Sequence, residues 1–511
     1  MPTNNRKWII TGLLLGILMA SMDNTIVATA MGTIIGELGG MDKFTLVTSA
    51  YITTELAGML IYGKLADIMG RKPFYLGGLL FFIGGSIMCG SAHSMAELAV
   101  FRGLQGMGAG ALVPLAYTII FDVVSLAERG KMAGLFGAVF GLSSIFGPLL
   151  GAFLTEYLDW RWVFYVNIPL GLVSLVLLFH FYQDSNHLVK QRVDWPGAIY
   201  LVVSVCSLMG FLQLVGRNYN LSSPALLSLL AVCLAFVALF LYQESHAENP
   251  ILSLDLYRRR LFGATQGTAF LYCAVYIPIA VYIPIYIQAV FGGTAASVGR
   301  ALTPMMLASV VSSQIGARTV HLTSYRKLML VSCALFFGGV CALGTLDTNS
   351  AYWMLVAYMI ITGLGMGFCW SVLSMASNHD MEYQKRAAAN ATLSFSQSLG
   401  LTLGISIFGA VQNHIMLQGL HKVSAAGGML KSALDARVLL QPAVRSQLSP
   451  EALAAMTGIL AGSITRVISY SLVFIVLALG FILLMGPARM QPADGSDAVS
   501  LDMTAEGSRG E

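Results

Sequence analysis

Fourteen apolar runs, each about as long as a bilayer is thick, limit this chain more than any other feature. A helix needs ~20 apolar residues to cross the hydrocarbon core. Such runs lie at 8–30, 44–63, 74–92, 97–121, 132–156, 163–183, 195–214, 222–243, 262–290, 295–317, 328–346, 352–376, 387–411 and 465–486. Charged residues make up only 11% of the chain and hydrophobic ones 56%, whereas a soluble domain carries ~25% charged residues. The pattern predicts an all-α, polytopic membrane protein that takes the lipid bilayer as its solvent. A formal charge of +4 gives no reason to expect a nucleic-acid partner. The seven cysteines lie almost entirely in apolar runs without a CxxC or Cys/His cluster, so they read as small apolar residues and not as disulfides or metal ligands.

Arg6 and Lys7 precede the first run, and Ala28-Thr29-Ala30 imitates a signal-peptidase site. Asp23 and Asn24 interrupt that run, which is too long for a signal core, so it reads as an uncleaved first span. An even number of spans puts both termini on one side. With that side cytoplasmic, inner segments hold nineteen of the 29 Lys and Arg, and short outer loops hold four. The excess of basic residues predicts that both termini are cytoplasmic.

The sequence also repeats itself. "GMGAG" at 106–110 returns as "GLGMG" at 363–367, and Gly147 maps onto Gly404 at the same offset of 257. Gly63 maps onto Gly316 at an offset of 253. Two halves of equal topology follow, as in transporters built from six-helix repeats. The organisation expected is a first bundle over 1–183, a two-helix insert with its linkers over 184–257, and a second bundle over 258–486. A long outer loop at 412–464 belongs to that second bundle, and a disordered tail covers 487–511.

Several motifs carry a resemblance. "GKLADIMGRKP" at 63–73 resembles the signature inner loop of the major facilitator superfamily. "RGLQGMGAG" from Arg102 is similar to its fourth-span motif, and "GLSSIFGPLLGA" at 141–152 to the fifth-span motif that marks antiporters. "MDNTIV" at 22–27, "WRWVFYVNIPLG" at 160–171 and "YIPIYIQAVFGG" at 282–293 resemble the fourteen-helix drug/proton antiporters. Ile68 and Ala152 depart from the usual residues of two motifs, and Glu55 is an acid the motifs do not require. The resemblance implies a major facilitator fold of two six-helix bundles with two extra central helices. It implies a monomeric, proton-coupled antiporter that exports amphipathic, cationic drugs by alternating access, with the proton gradient in place of a cofactor. A narrow exporter or symporter of one metabolite, and a non-transporting sensor or channel, remain as alternatives.

The residues themselves say what each motif can do. Gly63 and Gly70 allow tight turning and close approach. Asp67 can accept hydrogen bonds from a helix N-terminus, and the span beginning near Ala387 has its N-terminus on the same side. The resemblance implies that this loop latches the two halves, with Arg71, Lys72 and Arg129 as counter-charges. Gly147 and Pro148 break the helix in mid-membrane, and with Gly151 they form a smooth packing surface. The resemblance makes that surface a barrier to leakage.

Asp23, Glu55 and Arg102 lie inside spans, where a central charge costs ~2.5–3.5 kcal/mol by insertion scales. Asp23 lies fifteen residues after Trp8, ~22 Å along a helix, and so ~8 Å from the far boundary of a ~30 Å core. Arg102, five residues into its span, is also ~8 Å deep. Glu55 lies ~16 Å deep, near the midplane, on one face with Thr48, Tyr51 and Met59. These three are the candidate proton-coupling groups. Asp23, Glu55, Tyr51, Gln105, Tyr272, Tyr276 and Gln397 are the candidate substrate contacts, because carboxylates and tyrosine rings suit lipophilic cations. Walker, HExxH and nucleophile-elbow motifs are missing, so the sequence does not read as an enzyme.

Overall fold

The structure is a computed structural model that describes residues 3–38, 44–124, 126–184, 194–216, 223–252, 254–292, 295–382, 385–426 and 450–489. The described residues are helical throughout, with no strand. The first bundle comprises α1 (Thr3–Leu38), α2 (Phe44–Met69), α3 (Arg71–Gly90), α4 (Met95–Val123), α5 (Leu126–Tyr157), the short α6 (Trp162–Tyr165) and α7 (Asn167–Phe181). Next come α8 (Trp195–Gly216), α9 (Pro224–His246) and the short α10 (Leu254–Arg258). The second bundle comprises α11 (Arg260–Val290), α12 (Ala295–Thr319), α13 (Tyr325–Gly344), α14 (Tyr352–Ser377), α15 (Arg386–Ala426) and α16 (Pro450–Leu484).

Eleven of these passes, counting α6 and α7 as one, are long and apolar enough to cross a membrane. The remaining three, α2, α5 and α12, lie on the seam between the bundles, where α2 packs on α15 and α5 on α12. A helix that faces another bundle needs less apolar surface than one that faces lipid.

Two of the expected boundaries change. The run 163–183 is interrupted: α6 ends at Tyr165 and α7 starts at Asn167. Hydropathy counts apolar residues and does not register a one-residue break. The expected loop 412–464 is helical at both ends, since α15 continues to Ala426 and α16 begins at Pro450. Apolarity marks where a helix is in lipid and not where it ends. The tail beyond 489 and residues 427–449 lie outside the described residues.

Glycine contacts give the internal repeat a physical form. A Cβ on Gly106 or Gly110 of α4 would collide with the backbone of α2 at Tyr51 and Glu55. At the 257-residue offset, Gly363 and Gly367 of α14 meet the α12 backbone at Met305 and Ser309 in the same way. Gly108 meets α3 at Phe82, and its counterpart Gly365 meets α13 at Phe336. Each half therefore clamps its fourth helix between two others at glycine steps, which lets backbones approach closely where lipid offers no hydrophobic driving force.

Each bundle has its own apolar core. The α8–α9 hairpin lies against the seam. Leu201, Val205 and Met209 of α8 share an apolar cluster with Leu56 and Leu60 of α2 and Ala391 of α15.

Candidate functional site

The most polar buried spot in the first bundle centres on Asp23, which is fully buried on α1. Arg102 of α4, 1% exposed, donates from Nη1 to Asp23 Oδ2 in a close ion pair. Gln105 Nε2 donates to Asp23 Oδ1 at 2.8 Å, and Asn167 Nδ2 donates to the same oxygen at 2.9 Å. Gln105 accepts from Arg102 at 2.7 Å and donates to Ser86 Oγ at 2.8 Å. Asn24 Oδ1 receives Arg102 Nη2 at 3.4 Å. Helices α1, α3, α4 and α7 thus meet at one carboxylate.

The local sequence accounts for this meeting. Arg102 and Gln105 lie three apart on α4, so they share a face. Asn167 opens α7 just past the break, which brings its amide to Asp23. A buried charge is tolerated when it is paired and its remaining lone pairs are satisfied, and Asp23 accepts three donors. Asn167 and Ser86 were not predicted as site residues. The one signal in the sequence was a neutral polar side chain within an apolar run.

Arg102 also stacks on Tyr51, its guanidinium carbon 4.0 Å from the ring centroid, a favourable cation–π distance. Tyr51 is fully buried, and its hydroxyl has no hydrogen-bond partner among the described residues. Glu55 lies one turn further along α2, half-buried. It makes no ion pair among the described residues, though it feels the charges of Arg102 and Asp23.

At the other end of α2, Asp67 accepts the backbone N–H of Ala388 at 2.8 Å and that of Ala387 at 3.2 Å. It therefore caps the first turn of α15 from the opposite bundle. Gly63 faces Ala387 and Ala391, leaving no space for a side chain. Gly70 turns the chain into α3 at φ 98°, a conformation that favours glycine. Arg71 is buried and pairs closely with Asp122, with Asp67 3.8 Å away. Arg386 of α15 reaches Asp122 at 3.7 Å. Asp122 was not predicted, because it falls just past an apolar run. Lys72 Nζ donates to the Phe179 carbonyl at 2.8 Å. The side chain of Arg129 lies outside the described residues.

The seam is polar again nearby. Asn390 Nδ2 on α15 donates to Thr118 Oγ1 on α4 at 3.0 Å and accepts from Asn378 at 2.7 Å. Phe140 stacks on Trp370 across the halves, centroids 5.8 Å apart. Beside these contacts a narrow cleft is lined by Tyr117, Trp370, Ser374, Asn390, Ser394 and Gln397. Gln397 is thus placed at the seam.

The two tyrosines of α11 are placed differently. Tyr272 lies inside the second bundle, fully buried, stacked on Phe336 at 4.9 Å and hydrogen-bonded with Ser332 at 3.2 Å. Its partners are core residues, and a tyrosine in a run of apolar residues packs inward as readily as toward a cavity. Tyr276 is only half-buried and packs at the margin of the same core.

Gly147 and Gly151 press α5 onto α1 at Thr25, Ile26 and Thr29. Pro148 between them is half-buried. Gly400 and Gly404 press α15 onto α11 at Phe270 and Ala274, so close approach recurs in both halves. The proline alone is one-sided, as position 405 is Ile.

Two glycine-clamped helical bundles, locked together at one end and holding a satisfied ion pair inside one of them, define a membrane transporter. The chain matches the model of the Major Facilitator Superfamily over residues 13–405, and it belongs to that family. It is 46% identical to "Multidrug resistance protein 3" of Bacillus subtilis over 95% of this chain and 96% of that one. It is 34% identical to "Multidrug transporter protein MdtP" of the same organism over 80% and 76%. The fold is similar to the human organic anion transporter MFSD10 (TETRAN), with TM-score 0.59 at 14% identity, covering 93% of this chain and 100% of that one.

Proposed function

We propose that the protein exports amphipathic, cationic drugs in exchange for protons by alternating access, in the cytoplasmic membrane with both termini in the cytoplasm. The observation that carries this reading is the buried Asp23 held by Arg102, Gln105 and Asn167, with Arg102 stacked on Tyr51 one turn from an unpaired Glu55. Two relatives that bear multidrug names, similar over most of their length, support the substrate class.

Protonation of Asp23 removes the charge that holds Arg102, and deprotonation restores it. Glu55 makes no ion pair among the described residues, so it is neutralised by a proton or by a bound lipophilic cation. Competition between those two at one carboxylate is exchange in its simplest form. The glycine–proline surface of α5 against α1 keeps the exchange tight. The Asp67 cap holds the two halves together in the arrangement described here.

The test uses purified protein in proteoliposomes with a pH-sensitive dye inside. A lipophilic cation imposed on one side should drive proton movement the other way, and a proton gradient should drive uptake of the cation against its own gradient. Transport that neither moves protons nor responds to a proton gradient would overturn the proposal.

A further inference from the structure

A second pair of acids lies in the α8–α9 hairpin, remote in sequence from every motif of the transport site. Asp194, at the N-terminus of α8, is 8% exposed, and Glu244, near the end of α9, is 3% exposed. Each spends one oxygen on ordinary partners. Asp194 Oδ1 accepts the Gly197 N–H at 3.1 Å and Gln243 Nε2 at 3.0 Å. Glu244 Oε2 accepts the Leu252 N–H at 2.9 Å. Their other oxygens, Asp194 Oδ2 and Glu244 Oε1, are buried with no hydrogen-bond partner among the described residues. A Cβ on Gly197 would lie 2.5 Å from the first and 3.0 Å from the second, so the two oxygens flank one point.

Two ionised carboxylates around one buried point repel each other, and one of them then holds a proton. A metal ion such as calcium would need six or more oxygens, and no group of three or more His, Cys, Asp or Glu able to hold a metal occurs among the described residues. A proton on either oxygen needs no further ligand and leaves the pair with one charge. Among the described residues the cation that acts on Glu244 is Lys64 of α2, half-buried, which feels both Asp67 and Glu244, with Lys385 repelling it. Tyr242, His246 and Glu248, the titratable groups nearest Glu244 along the chain, are solvent-exposed, and Lys190 and Arg192, just before Asp194, lie outside the described residues. Lys64 lies three residues before Asp67 on α2, and α8 packs on the same helix.

We propose that Asp194 and Glu244 share one proton, forming a second protonation site in the hairpin that sets how firmly Lys64 and the last turns of α2 before Gly70 are held. With the shared proton in place the pair carries one negative charge. When the proton leaves to solvent the pair carries two, and the pull on Lys64 rises. The hairpin thereby senses pH on the latch side and acts on the latch through one ammonium.

The experiment follows the full-length protein in nanodiscs by hydrogen–deuterium exchange, corrected for the intrinsic pH dependence of exchange, together with infrared difference spectroscopy. Amides around Lys64 should gain severalfold protection as pH rises through the titration of the pair. A protonated-carboxyl band should vanish over the same range. Glu244→Gln, whose amide can still accept from Leu252 and can donate to Asp194, should lose both the band and the pH step, and Asp194→Asn should behave alike. Lys64→Gln should keep the band and lose the step. A wild-type protein without the step, or a step that survives in Glu244→Gln and Asp194→Asn, would overturn the proposal. So would a step that follows sodium or potassium concentration at fixed pH, since the pair would then hold a metal cation.

Discussion

At the residue scale the molecule concentrates its risk in a few side chains. Asp23→Asn leaves Arg102 buried without its counter-charge, and breaking a buried pair in this way costs ~3–5 kcal/mol. The variant should lose export of cationic and neutral substrates alike, with a lower melting temperature in detergent. Asn167→Ala removes one donor to a charged acceptor, a loss of about 1.5–3 kcal/mol, and should slow export while leaving the pair in place. Glu55→Gln should impair cationic substrates more than neutral ones, and an equal loss for both would end the division of labour between Glu55 and Asp23. Depth counting put Asp23 and Arg102 at one level, and the structure joins them. Asn167, Ser86 and Asp122 were not legible as site residues. A neutral amide or hydroxyl in an apolar run announces a need for a partner but not which one, and Asp122 lies at a span end where acids are ordinary.

At the scale of elements, the chain was readable wherever lipid dictates composition. Apolar length marked each pass, whereas the break before α7 and the extensions of α15 and α16 left no trace in hydropathy. Gly147→Leu should force α5 away from α1, because Thr25 fills the space its side chain needs. Pro148→Leu restores a backbone donor in mid-helix and removes the ring that interrupts its hydrogen-bond ladder. Both variants should move fewer protons per substrate or leak protons without substrate, as measured with a pH dye in proteoliposomes. An unchanged proton-to-substrate ratio would make the surface purely structural. Asp67→Asn retains an acceptor for the α15 N-terminus but loses the charge that the helix dipole favours, typically worth 0.3–1 kcal/mol and up to ~2 when partly buried. Transport should fall sharply with membrane insertion intact, checked by comparing initial rates at equal protein.

At the scale of the whole molecule, the halves are sealed to one another by the Asp67 cap, the Thr118–Asn390 hydrogen bond and the Phe140–Trp370 stack. Thr118→Cys with Asn390→Cys should cross-link on oxidation, abolish transport, and recover it on reduction. Full activity in the cross-linked protein would mean that the halves never part there. Helix α15 has 41 residues, about 60 Å of continuous rod, twice the thickness of the hydrocarbon core. One tip of that rod rests on Asp67. The other runs beyond the apolar stretch Arg386–Met416 and is braced against α16 where Gly419 meets Ile459. A stiff rod seated in a bilayer behaves as an oar in its rowlock: a small swing at the latched tip obliges an opposite swing at the protruding one. A reporter fixed to that projection, or a binder that clamps it to α16, would read or stall the latch from the opposite face of the membrane.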